Sequence, residues 1–163
     1  MAARPATSKV TVAAADPRAA ECVALLDEME EFTQRTYPED AGLGIFPPTL
    51  EELAEGVLVL AQLDGQAVGT GAIVDADPLD GAATMEVKRM YVREVARGRG
   101  VAEQVLGALQ LAAQTRGARK LALLCGPRQP SALRLYERCG FVRRGAFGTY
   151  REDPLCIYFE KTI

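Results

Sequence analysis

No histidine occurs anywhere in the 163 residues. A Ser-His-Asp or Cys-His relay and any His-ligated metal site are therefore excluded, and proton transfer must use Glu, Asp, Tyr, Lys, Cys or water. No apolar run approaches the ~20 residues needed to span a bilayer, so no membrane partner is expected. The four cysteines, Cys22, Cys125, Cys139 and Cys156, form no C-x-x-C pair. That spacing argues against a zinc knuckle and against a dithiol redox motif, and it favours buried free thiols. A basic excess is missing too: 19 Lys and Arg stand against 22 Asp and Glu, a net charge of -3, which gives no reason to expect nucleic acid as a partner. Met1 to Ser8 carry Arg4 but no apolar stretch behind it, so they read as a frayed start and not as a secretory signal, and a cytoplasmic location is expected. There is no internal repeat and no low-complexity segment.

What is present suits one globular α/β domain over residues 1–163, with 48% hydrophobic and 25% charged residues. At this length about two-thirds of the unfolded surface can be buried. Ser8 to Ala14 predicts a strand. Asp16-Pro17 then offers an N-cap with proline at the first helical position, and Cys22, Leu25, Leu26, Met29 and Phe32 recur at helical spacing up to Tyr37-Pro38. Glu28, Glu30 and Glu31 are expected to face water. Ala41 to Pro48 reads as a loop. Thr49 and Glu52 have capping-box spacing and open a short second helix that Gly56 ends.

Val57 to Leu63 and Ala67 to Val74 predict a hairpin about Asp64-Gly65-Gln66, and Asp75 to Gly81 an acidic loop. Ala83 to Val92 follows as a strand, then a helix from about Gly98 to Arg116 closed by Gly117. Leu121 to Cys125 is a short continuous apolar run of the buried-strand kind. A helix from Ser131 to Arg138 stops at Gly140, and Phe141 to Phe147 with Leu155 to Lys161 predict a closing strand pair. The order is β-α-α-β-β-β-α-β-α-β-β, a mixed sheet with helices on both faces. The strand-helix-strand unit from Ala83 to Cys125 requires a parallel pair, where a ligand is expected.

The chemistry concentrates in Arg97-Gly98-Arg99-Gly100-Val101-Ala102, between a strand and a helix. Gly98 and Gly100 let a backbone approach a ligand closely, the first amides of the helix lack internal partners, and the helix dipole adds roughly half a positive charge. Arg97 and Arg99 add two formal charges, so the segment suits a pyrophosphate. A tight turn with solvated arginines would show the same letters. Two familiar nucleotide motifs are excluded, since Glu103 holds the last glycine position of G-x-G-x-x-G and no G-K-[ST] follows.

Arg97-x-x-Gly100-x-Ala102, placed after the strand Glu86-Val87-Lys88-Arg89-Met90-Tyr91-Val92, resembles the acetyl-CoA motif of the GNAT (Gcn5-related N-acetyltransferase) superfamily. Gln129-Pro130-Ser131-Ala132-Leu133-Arg134-Leu135-Tyr136-Glu137-Arg138-Cys139-Gly140-Phe141 is similar to that family's second signature. The ending Phe147-Gly148-Thr149-Tyr150 with Asp153-Pro154-Leu155 resembles bacterial small-molecule members. The resemblance implies a direct acetyl transfer from acetyl-CoA, without a metal, to the amine of a small molecule. It assigns the amides from Arg97 through Gly98, Arg99, Gly100 and Val101 to Ala102 to the pyrophosphate. At the strand end Met90, Tyr91 and Val92 would meet the cofactor, the backbone of Met90 and Val92 pairing with its acetyl and pantetheine end. Gln129, where the family usually has Asn, and Ala132 would also touch it, and Tyr136 would protonate the departing thiolate. Dimers are common in the resembling family, so a homodimer is one expectation.

A phenol with reference pKa near 10 can donate to a sulfur that develops negative charge, although Tyr136 could equally pack its ring under the helix and Cys139 offers a competing thiol donor. The attacking amine must also lose a proton. Glu86 is the preferred base, with Glu28, Glu31 and Asp40 behind it. In a regular strand Glu86 shares a face with Met90 and Val92, and a bulge between them would reverse that phase; the letters leave this open, as they do a solvated Glu86 beside Lys88 or Arg89. Two other functions fit the same motifs: a non-catalytic acyl-CoA-binding module and an acetyltransferase acting on protein lysines or N-termini. Acidic residues in the first half hint at a cationic acceptor.

Overall fold

A computed structural model describes residues 8–39 and 47–163. Asp40 and the segment 41–46 of the expected loop lie outside the described residues, as do residues 1–7. Seven strands form one sheet: β1 (Val10–Ala14), β2 (Val57–Leu63), β3 (Gln66–Leu79), β4 (Ala82–Val92), β5 (Lys120–Cys125), β6 (Val142–Arg144) and β7 (Ile157–Thr162), in the spatial order β1-β2-β3-β4-β5-β7-β6. Among the described residues four α-helices cover it: α1 (Ala20–Thr36), α2 (Leu50–Glu55), α3 (Val101–Thr115) and α4 (Pro130–Arg138). The element order is the one expected. β4 and β5 are parallel, and every other neighbouring pair is antiparallel.

Alternation along the strands sends side chains to two cores. Val59, Ala61, Ile73, Met85 and Val87 pack with Val101, Val105 and Leu109 of α3 and Leu135 of α4. On the other face Leu58 and Ala72 pack with Cys22 of α1 and Leu53 of α2. The apolar run of β5 divides in the same way, Leu121, Leu123 and Cys125 to the first core and Ala122 to a third cluster with Phe147 and Tyr158, as a strand covered on both faces must. All four cysteines are free.

Local chemistry explains the boundaries. The capping box forms, with the amide of Glu52 donating to Thr49 Oγ1 and the amide of Thr49 to Glu52 Oε2. Asp64 and Gly65 both adopt positive φ, 50° and 85°, the requirement of a two-residue turn whose twist matches the strands. Three expectations need correction. Asp16 does not cap α1: its carbonyl accepts from Ala19 and its Oδ1 from Arg18, a local turn that delays the helix to Ala20. The acidic loop from Asp75 to Gly81 is largely strand: β3 continues to Leu79, exposed Asp75 and Asp77 alternate about Ala76, and the reversal is confined to Asp80-Gly81. The expected strand Phe141 to Phe147 shrinks to Val142–Arg144, leaving residues 145–156 as a connection packed by aromatic rings.

β4 contains the irregularity that organises the site. Tyr91 faces Thr70 and Lys88 faces Ala72, so three steps of β4 match two of β3, and Arg89 takes φ 56°. This is a bulge. Gly71 lies opposite it, where a Cβ would stand 2.6 Å from Val105 Cγ1 and 2.7 Å from Met90 Sδ. Gly71→Ala is therefore expected to lower stability by about 1–3 kcal/mol, the usual cost of overpacking, measured as an earlier urea midpoint with unchanged m-value.

Candidate active site

β4 and β5 pair only at Thr84–Lys120, Met85–Leu121 and Glu86–Ala122. Beyond Glu86 the strands part, and β4 keeps β3 on one side with no strand partner on the other among the described residues. Arg93 donates its amide to Val68 on the β3 side, so strand alternation turns the backbone of Val92 and Met90 toward the open edge. The carbonyl of Val92 there accepts from Arg97 Nε at 3.0 Å.

A cleft of about 660 Å³ runs from this edge to the start of α3, lined by Met90, Tyr91, Val92, Arg97, Gly98, Gly100, Val101, Ala102, Gln129, Ala132 and Tyr136 among others. Of the eleven residues expected to hold the cofactor only Arg99 is missing. Its guanidinium turns outward, with Nη1 3.4 Å from Ser8 Oγ, and the expected Arg97 amide is spent on the Glu94 carbonyl at 3.1 Å, where the chain closes a short turn; against Glu103, positive charge in the cleft comes from Arg97, Arg128, Arg134 and Arg138. The last three were missed, because arginines on a helix and its preceding loop carry no signal of which way they point.

Gly98 and Gly100 adopt φ 74° and 75°, a region other residues enter at a cost. A Cβ on Gly98 would meet nothing within 4 Å, and one on Gly100 only Glu103 Oε2 at 3.9 Å. The protein leaves open space beside both. Gly100 caps α3 without a side chain to satisfy the first amides, so the donors and the positive end of the helix dipole remain available to an anion. These features fit a diphosphate.

A second cavity of about 190 Å³ opens on the α1 side and shares Met29, Met90, Gln129, Ala132 and Tyr136 with the first. Glu86, Lys88, Arg89 and Tyr150 line it. The bulge puts them there: Met85 and Val87 face α3, and after the extra residue so do Met90 and Val92, whereas Glu86 stands on the opposite face. Its carboxylate is buried. Oε1 accepts from the Tyr150 hydroxyl at 2.7 Å and stands 3.4 Å from Lys88 Nζ, while Lys88 Nζ donates to Tyr150 Oη at 2.7 Å. Burial pushes the Glu86 carboxyl up; Lys88 and the Tyr150 hydrogen bond pull partly the other way. Tyr150, missed as a site residue, is held by edge contacts with Phe147 and a tilted contact with Tyr158.

Tyr136 packs its ring and also reaches the cavities. Its ring packs at 5.8 Å against Phe141 and 6.0 Å against Phe159, and it borders both cavities. Burial pushes its phenol far up, so it stays protonated. Cys139 caps the end of α4 and lines neither cavity. Cys125 does line the second, but burial raises its thiol to about 12, where little thiolate forms.

The α1 carboxylates face water as expected, but two of the three carry arginine partners. Glu28 pairs with Arg93 at 2.6 Å and Glu30 with Arg89 at 3.2 Å, and Glu31 is the most exposed of the three. The end of the helix is fastened too. Tyr37 donates its hydroxyl to Gln129 Oε1 at 3.3 Å and accepts from the Arg128 amide at 3.0 Å. Gly126 admits it, since a Cβ there would lie 2.0 Å from Tyr37 Oη.

The model of the Acetyltransferase (GNAT) family matches residues 22–141. An IAA acetyltransferase from Azospirillum brasilense is 34% identical over 155 residues, 94% of this chain and 98% of its own. A solved structure from Klebsiella pneumoniae, assigned as an acyl-CoA N-acyltransferase, is 32% identical with TM-score 0.73 over 94% of this chain and 97% of its own. A GNAT family acetyltransferase from Elizabethkingia anophelis with acetyl-CoA bound shares the fold at 20% identity, with TM-score 0.64 over 94% of this chain and 98% of its own. The fold is that of the acyl-CoA N-acyltransferases. The chain belongs to the GNAT family, and it is an acetyltransferase.

Tyr37→Phe removes the hydroxyl shared by Gln129 and the Arg128 amide and is expected to cost about 1–3 kcal/mol of stability. The loss in Tyr37→Phe/Gln129→Ala should be smaller than the sum of the single losses, because the two side chains form one contact; chemical denaturation of the four proteins measures it.

Proposed function

We propose that this acetyltransferase moves the acetyl group of acetyl-CoA directly to the primary amine of a small molecule. The observation that carries the reading is the meeting of the two cavities at Tyr136: one is bordered by unsatisfied helix-start amides, the other by a buried carboxylate. The acetyl-CoA bound to the Elizabethkingia relative supports the choice of donor. The modest second cavity supports a small acceptor.

Acetyl-CoA, when bound, supplies an activated carbonyl and a thiolate leaving group. The amides from Gly98 to Ala102 bind its diphosphate, and the open edge of β4 at Met90 and Val92 pairs with the extended arm. For Val92 this means replacing Arg97 Nε at the carbonyl. Glu86 takes the proton that the attacking amine must lose. Its Oε1 is occupied by Tyr150 and Lys88, so Oε2 is the oxygen that receives it. Tyr136 holds a proton at its hydroxyl for the departing sulfur. The same dry surroundings that raise its phenol also penalise a bare thiolate, so donor and leaving group stay matched.

Coenzyme A release over a panel of amino acids, polyamines, aminoglycosides and peptides tests the reading. Tyr136→Phe and Glu86→Gln are each expected to lower turnover by about 10²–10⁴-fold, the range of general acid–base catalysis. Measurable acetyl-CoA affinity with no release from any amine would refute it. The pH profile follows from Glu86. A base works only when ionised and burial raises this carboxyl, so kcat/KM should fall as pH drops through a value above the usual carboxylate range, and Glu86→Gln should lose that limb.

A further inference from the structure

The acceptor cavity carries more charge than removal of one proton requires. Beside Glu86 it is lined by Lys88 and Arg89. Arg89 is neutralised by Glu30 of α1 and Glu28 is committed to Arg93, so the charges a ligand meets are the neighbouring Lys88 and Glu86. Tyr37, Tyr136, Tyr150, Cys125 and Cys156, its remaining titratable neighbours, are neutral in their ordinary protonation states at pH 7.

Lys88 is placed to be felt by any ligand. Its side chain is 19% exposed, and Nζ lies 2.7 Å from Tyr150 Oη and 3.4 Å from Glu86 Oε1. An ammonium group has three N–H donors, so after Tyr150 and Glu86 one remains. An amine that reaches Glu86 therefore arrives beside a fixed positive charge in a poorly solvated cavity, where like charges repel strongly. A polyamine would bring a second ammonium to a wall that offers it no second carboxylate. A ligand with its own anion next to the amine replaces the repulsion with attraction.

We propose that the acceptor is an α-amino acid or a close analogue, its amine received by Glu86 and its carboxylate by Lys88. The inference rests on the proposed transfer to an amine at this site and names the class of that amine. Spacing supports the α-arrangement: the anion and cation of the wall are near neighbours, so the complementary groups of the ligand must be neighbours as well, as they are when both sit on one carbon. A cavity of about 190 Å³, below the roughly 300 Å³ at which drug-sized sites begin, suits a single amino acid better than a peptide. The cationic acceptor suggested by the acidic first half of the sequence is thereby replaced, since the acids nearest the cavity, Glu28 and Glu30, are paired with arginines.

The test compares wild type, Lys88→Met and Lys88→Arg on the common L-amino acids, on the primary amide and the decarboxylated amine of each, and on spermidine, with acetyl-CoA affinity as the control for folding. For side chains that are accepted, wild type should prefer the free acid to its amide by at least about tenfold in kcat/KM. Lys88→Met should bring that ratio near one, and Lys88→Arg should keep it above one. Equal or better use of amides, decarboxylated amines or spermidine by wild type would overturn the inference. So would an equal loss for acid and amide in Lys88→Met, which would place the action of Lys88 on the amine alone. Should no amine be acetylated, the functional reading fails separately, and calorimetry with N-acetyl amino acids and their amides in the presence of CoA decides the carboxylate site: a preference for the acid that Lys88→Met abolishes sustains it, and no preference ends it.

Discussion

Between Thr70–Tyr91 and Ala72–Lys88 two strands fall out of step, because β4 uses three residues where β3 uses two. In a regular strand Glu86, Lys88, Met90 and Val92 would share one face. With Arg89 in the left-handed region, Met90 and Val92 instead join Met85 and Val87 over α3, and Glu86 and Lys88 remain with α1 and Tyr150. The donor edge and the proton-accepting carboxylate are thus carried by one strand but presented to opposite sides. Gly71 is the matching concession on β3, since the bulge brings Met90 and α3 too close for a Cβ. The left-handed Arg89 is strained for a non-glycine residue, and its ion pair with Glu30 helps hold it.

Burying Glu86 exposes a conflict that hydrogen bonds only partly resolve. Desolvation disfavours its charged form and is the largest influence on it, while Lys88 and Tyr150 favour that form. A carboxylate fully matched by partners would be inert, because each hydrogen bond that stabilises the anion weakens it as a base. Here the partners converge on Oε1. The group is held in orientation by one oxygen, while burial of the carboxyl as a whole keeps it basic. Removal of Tyr150 would therefore alter geometry as well as charge, and the ring contacts that fix Tyr150 to Phe147 and Tyr158 link the reaction site to a connection that has no regular secondary structure.

Much of this was legible in the sequence, for identifiable reasons. The capping box of Thr49 and Glu52, the Asp64-Gly65 turn and the Gly98/Gly100 helix start are local chemistry, written within a few residues and little altered by the rest of the molecule. β5 was legible because a strand covered on both faces must be apolar throughout. Asp75 to Leu79 was misjudged because two aspartates suggest a loop, whereas an exposed strand tolerates them at alternate positions. The phase of Glu86 could not be read, since no residue type marks a bulge when arginine takes the positive φ that glycine usually fills. The committed state of Glu28 and Glu30 was hidden for another reason: their partners, Arg93 and Arg89, are about sixty residues away, and periodicity reports which face a residue occupies but not what is packed against it.

Tyr136 shows how a reacting group can be fixed before any ligand arrives. Its ring is wedged by Phe141 just past the end of its own helix and by Phe159 on β7, both of them buried. Such contacts are non-directional and insensitive to pH, so they set the position of the hydroxyl without competing for its proton. Hydrogen-bonded positioning is used two turns earlier, where the Gln129 amide is tied to Tyr37 and α1 is drawn to the loop between β5 and α4. The five residues common to both cavities come from α1, β4 and α4 or its cap. The relative placement of those three elements, and not any single side chain, therefore sets the distance between donor and acceptor. The Tyr37 fastening, the Arg93–Glu28 and Arg89–Glu30 pairs and the core beneath Tyr136 all constrain that placement, from both faces of the sheet.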